Sequence, residues 1–167
     1  MARPDVQHAQ NCYSAGKEAE FAFARYLHFN GIEFTMPGLY LPTVEKPEPK
    51  GDVGDIIIDG RVVDVKHLKG YTWTGEDDFP FSLVTAGFVH CWERMIRPAY
   101  MVFISGDLSH GYRINPDNMR GWSTKMVYEN LRKHEMPSYF APKQWANFFT
   151  LGNTKYGQTQ ELRETQG

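Results

Sequence analysis

Two periods of apolar and polar positions alternate along this chain, and the places where one gives way to the other mark its predicted elements. From Ala15 to Asn30 the spacing is helical, with Phe23, Ala24 and Leu27 on one stripe and Asn30-Gly31 as a C-terminal stop. Glu20 continues that stripe backward, which sets an acid at the edge of a packing face. Ile32, Phe34 and Met36 then alternate with Glu33 and Thr35, the period of a strand. Pro37 to Gly54, with Pro42, Pro47 and Pro49 among lysines and glutamates, reads as a loop.

Ile56 to Ile58 is a short apolar run, Asp59-Gly60 is the favoured two-residue type I′ turn, and Arg61 to Lys66 is β-branched enough to return as the partner strand. Strand side chains alternate faces, so Asp64 and Lys66 share one face while Val63 and Val65 share the other. An acid and a base two residues apart on a buried strand are costly unless they pair or bind metal. This hairpin is therefore the first place to look for chemistry. Asp59 is the turn residue that permits positive φ.

Lys69 to Pro80 is glycine-bearing, aromatic and acidic, and is read as an exposed, substrate-facing loop. Ser82 to Ile96 is compatible with a helix, although Val84, Thr85, Gly87 and Val89 leave a strand open over part of it. The continuous apolar run Tyr100 to Ile104 predicts a central buried strand, with Gly111 to Ile114 pairing beside it. Ser123 to Lys133 reads as a second amphipathic helix built on Met126, Val127 and Leu131, with a basic end and Pro137 closing it. One domain is expected over residues 1–151, and the aperiodic residues 152–167 read as a flexible tail.

The formal charge of −2 excludes a wholesale, histone-like nucleic-acid binder, so any such contact must come from a local basic surface. Cys12 and Cys91 lie far apart without zinc-knuckle spacing, which makes a reduced compartment the default. No run approaches a membrane span, the first ten residues lack the apolar region of a signal peptide, and a cytoplasmic location is expected. There is no phosphate-binding Gly-rich motif and no Gly-x-Ser-x-Gly, so nothing points to a nucleotide cofactor or to an α/β-hydrolase.

An acid-x-Lys tripeptide alone means little, since roughly one chance match is expected in a chain of this composition. Glu48-Pro49-Lys50 is such a match, in a proline-rich loop with no supporting pattern. Asp64-Val65-Lys66 differs because it follows a tight turn and is preceded by Asp55 at the start of the antiparallel partner. With Glu20 on the preceding helix, this arrangement resembles the PD-(D/E)XK nuclease superfamily, which includes restriction enzymes, Holliday-junction resolvases and phage repair nucleases. The resemblance covers about Ala15 to Lys69. Gly54 stands where the family commonly has proline, and Asp52 is an alternative first acid, with Asp55 favoured because it borders the apolar run.

The resemblance implies an α/β, restriction-endonuclease-like fold with a mixed central sheet flanked by helices. It implies a metal-dependent DNA endonuclease, structure-selective in repair or recombination, using Mg²⁺ with Mn²⁺ as substitute. Asp55 and Asp64 would be metal-binding acids, the Val65 carbonyl a further ligand, Glu20 the helix acid and Lys66 the catalytic lysine. Carboxylate oxygens suit such hard cations, and a lysine beside them can orient water or neutralise developing charge. A resolvase would act as a two-fold dimer, matching its substrate's symmetry.

For each residue there is a plainer account. Asp64 and Lys66 could form a surface ion pair, Asp55 could cap a strand, and Glu20 could be a solvated helix-edge residue. Further candidates for nucleic-acid contact are His67, Lys69, Tyr71, Trp73, Lys125, Arg132 and Lys133, with His134 extending the last cluster. Tyr71 and Trp73 could stack on unpaired bases or pack at the edge of the core. His90, Arg94 and Arg97 could line the cleft or form a solvated helix face. The competing class is a non-catalytic nucleic-acid-binding or assembly module that keeps the nuclease fold.

Overall fold

A computed structural model describes residues 6–37, 55–129 and 133–152, with side chains from residue 17 onward. Helix α1 (Val6–Phe29) starts well before Ala15 and ends as its sequence predicts. The Gly31 amide donates to the His28 carbonyl and the Ile32 amide to the Leu27 carbonyl, at 3.1 and 2.9 Å, closing the helix in a Schellman motif. The expected strand after it reduces to a single bridge, Thr35 to Ile57.

Strands β1 (Ile56–Ile58) and β2 (Arg61–Leu68) form the predicted hairpin, with Ile56 opposite Val63. At its turn Asp59 has φ 51° and Gly60 φ 73°, the two left-handed positions that a type I′ turn requires. β3 (Leu83–Phe88) and the four-residue helix α2 (Val89–Trp92) resolve the ambiguity at Ser82 to Ile96: strand first, then one helical turn. β4 (Tyr100–Ser105) is the buried central strand, and β5 (His110–Ile114) pairs beside it.

β6 (Ser123–Glu129) and β7 (His134–Pro142) replace the second helix expected over Ser123 to Lys133. Met126 and Val127 are strand residues opposite Pro137 and Met136. Pro137 does not close a helix; it lies where β7 has β6 on one side only, because β3 pairs with β7 from Ser138 onward. A strand can accommodate a residue without an N–H at such a place. β8 (Asn147–Thr150) completes the set.

These strands form two sheets. The larger has the order β1-β2-β4-β5-β8, with β2 and β4 parallel and the other neighbours antiparallel. The smaller has the order β3-β7-β6. α1 lays Ala19, Phe23 and Leu27 against Ile56, Val63, Val65 and Val102 on one face of the larger sheet. On the other face Met101, Phe103 and Tyr112 meet Val84, Ala86 and Ala141 of the smaller sheet.

The chain is thus a mixed α/β protein made mostly of strands, and its central sheet is flanked by a helix on one face and by a second sheet on the other. The expected helix on that second face is absent among the described residues because the segment read as helical pairs as β6. Gly87 (φ 92°) sits where the β3–β7 register shifts, and a Cβ there would lie 2.6 Å from the Met101 sulfur. Its bare backbone lets the two sheets approach.

Candidate active site

The acids gather where β1 begins and the adjoining part of β2 passes it. Asp55 immediately precedes β1, and its Oδ2 accepts the Val65 backbone N–H at 2.8 Å, which ties the start of β1 to β2. From the helix side Glu20, 5 % exposed, hydrogen-bonds the Asp55 carboxyl, and Lys17 Nζ stands 2.5 Å from Glu20 Oε2. Glu20 is drawn into this position because Ala19, Phe23 and Leu27 must face the sheet, and it shares their stripe. Burial, reinforced by the neighbouring Asp55 charge and opposed by Lys17, pushes the Glu20 carboxyl up to about 8. Two crowded carboxyls resist carrying two negative charges at once, and Lys17 offsets only part of that cost.

Asp64 lies on the opposite face of β2, level with Met101, and is 1 % exposed. Its Oδ2 is 2.5 Å from Arg94 Nη2. That arginine is placed by α2: the buried Trp92 donates its indole N–H to the Ala86 carbonyl at 2.6 Å, and the chain two residues on reaches over the sheet. Arg97 Nε in turn donates to the Trp92 carbonyl at 3.1 Å, which ties down the far side of the same turn. Lys66, partly buried, follows Asp64 on this face, level with Phe103.

The acids named from the sequence are therefore adjacent in the fold, but in two groups. Glu20 and Asp55 are in direct contact, whereas Asp64 serves Arg94. Among the described residues no three His, Cys, Asp or Glu side chains are gathered as ligands around one point. The Glu20–Asp55 pair nevertheless suits a hard divalent cation: two oxygen donors pressed together in a poorly solvated position are relieved by positive charge. Asp64 would have to leave Arg94 to join them.

The remaining candidates scatter. His67 Nε2 lies 3.3 Å from the Gly106 carbonyl, on the face opposite Lys66. Lys69 is exposed beside it, and the Tyr71 carbonyl accepts the Gly106 N–H at 2.7 Å. Tyr71 is exposed and meets Phe81 edge-on, ring centroids 5.3 Å apart. Trp73 is not a stacking platform: it is 2 % exposed, packed among Phe79 and Tyr112. Lys125 and Lys133 are exposed on the β6–β7 ribbon of the second sheet, not on a helix end, and Arg132 and the alternative acid Asp52 lie outside the described residues. His90 is half-buried and stacks on Phe88, while Arg97 is exposed.

Sequence reasoning gave Lys17 no role and left Arg94 open between cleft and solvent. The signal for Lys17 was its position three residues before Glu20, a pair that shares a helix face. Nothing local could bring Arg94 to Asp64, thirty residues earlier in the chain. Comparison with protein-family models, with curated proteins and with solved structures returned no match. No helix among the described residues is long and apolar enough to cross a membrane.

Proposed function

We propose that this chain is a metal-dependent DNA endonuclease of the PD-(D/E)XK type on a restriction-endonuclease-like fold. The observation that supports it most is the contact between the carboxyls of Glu20 and Asp55, with Glu20 pushed up to about 8. A stable core has no use for two abutting acids, whereas a cation site does. The parallel pairing of β2 with β4 is in keeping with the reading, as is the placement of Asp64 and Lys66 on one face.

Mg²⁺ or Mn²⁺, when bound, would supply Lewis acidity and a more acidic water. Glu20 and Asp55 would hold it, with Asp64 and the Val65 carbonyl completing the set once Asp64 exchanges Arg94 for the site. To do so Glu20 would act as a carboxylate, which the positive charge of the ion would favour. Lys66, on the Asp64 face, orients the attacking water or offsets charge that builds on the phosphate oxygens. Arg94, released from Asp64, is a guanidinium already poised for the phosphate that replaces it.

One observation favours the second reading, a non-catalytic nucleic-acid-binding module: the buried Asp64 is held by the arginine Arg94. Titration of Mn²⁺ into the protein, followed by DNA binding with and without the ion, separates the two. Binding of the ion that is lost in both Glu20→Gln and Asp55→Asn supports the nuclease. Tight DNA binding indifferent to metal, with no ion bound, supports the module.

A further inference from the structure

The smaller sheet ends in an unfinished edge. Among the described residues β6 pairs with β7 alone, and over His134 to Pro137 of β7 the two form a ribbon without β3. A lone two-stranded ribbon is marginal in water, and an open edge invites another strand. This one presents large apolar side chains, Met126 at 58 % and Tyr128 at 55 % exposure.

We propose that two copies of this chain associate through β6, paired antiparallel about a two-fold axis at Val127. The inference does not rest on the nuclease reading. Its basis is the self-complementarity of the strand Ser123–Glu129. With Val127 opposite its own copy, Met126 of each chain faces Tyr128 of the other and Lys125 of each faces Glu129 of the other. One apolar pair and one opposite-charge pair are thus each made twice, as an isologous interface requires. Lys125 is exposed and rests 5.4 Å from the Phe140 ring, so its ammonium is already held over the sheet from which the second copy would extend. The product is a continuous six-stranded sheet, β3-β7-β6 and its two-fold image. A duplex groove is the other occupant a ribbon can have, but the strand's single lysine and single glutamate balance, which suits a second copy better than a polyanion.

Sedimentation of the full-length wild type across a range of concentrations, beside Lys125→Glu and Glu129→Lys, tests this. The wild type is expected to dimerise, and each single variant, which sets like charges opposite each other twice, to weaken the dimer at least about tenfold. An equimolar mixture of the two variants restores both ion pairs in the heterodimer and is expected to dimerise like wild type. This recovery cannot come from misfolded chains. A monomeric wild type, single variants that dimerise unchanged, or a mixture no tighter than its components would each overturn the proposal. Loss of duplex binding by a monomer carrying either variant would assign the edge to nucleic acid instead.

Discussion

Arg94 Nη2 and Asp64 Oδ2 lie 2.5 Å apart across thirty residues of chain, with the acid almost wholly removed from water. This pair both fixes the turn after α2 over the central sheet and keeps Asp64 from the other acids. Removal of the arginine alone takes the ion pair away from a buried charge. Arg94→Ala is expected to lower unfolding stability by about 3 kcal/mol, and Asp64→Asn in the same chain to return much of it. Urea denaturation of the two singles and the double measures the coupling; additive losses would contradict it.

Glu20 gives the metal-free protein a pH dependence opposite in sign to that of an ordinary paired carboxylate. Its folded value, about 8, lies above the ordinary glutamate value of 4.5, so between them the folded state binds more protons than the unfolded chain. Stability is highest below that window, falls as pH rises through it by up to about 1.4 kcal/mol per unit, and levels off above it. Denaturation in EDTA at stepped pH should show this slope, and Glu20→Gln should abolish it.

Tyr71 and Trp73 read alike in the sequence and differ in the fold. Trp73→Ala should cost about 3–5 kcal/mol because its buried ring leaves a cavity. Tyr71→Ala should cost less than about 1 kcal/mol while weakening single-stranded DNA binding by about 1–3 kcal/mol. Thermal melts and fluorescence anisotropy on both variants decide it. A Trp73 variant as stable as wild type would displace that residue from the core.

At Gly87 a methyl group would meet the Met101 sulfur at 2.6 Å on a backbone with φ 92°. Gly87→Ala is expected to destabilise by about 2 kcal/mol or more, from overpacking and from the left-handed backbone together. A melting temperature unchanged from wild type would mean that the sheets separate readily there.

The parts legible in the sequence were those whose cause is local. Asp59-Gly60 dictates its turn, Asn30-Gly31 its helix end, and the apolar run at Tyr100 its burial. β6 reads as helical because Val127 sits four residues before Leu131, and a largely exposed edge ribbon shows no alternation to correct it. Its strand character comes from pairing with β7, a partner that begins beyond the segment itself. The site divides in the same way. Asp55, Asp64 and Lys66 follow from one hairpin, and Glu20 from a helical stripe. The grip of Arg94 on Asp64 depends on where Trp92 anchors α2, which no spacing rule contains.

The central claim is that the hairpin acids and Lys66 hydrolyse phosphodiester bonds. It is tested most directly by cleavage of labelled duplex, single-stranded, flap and four-way-junction DNA in Mg²⁺ or Mn²⁺, with wild type beside Asp64→Ala and Lys66→Ala. The expected result is metal-dependent cutting of at least one substrate, reduced about a hundredfold or more in both variants. No cutting of any substrate, or cutting by the variants at the wild-type rate, would contradict the assignment and leave the hairpin with a binding role.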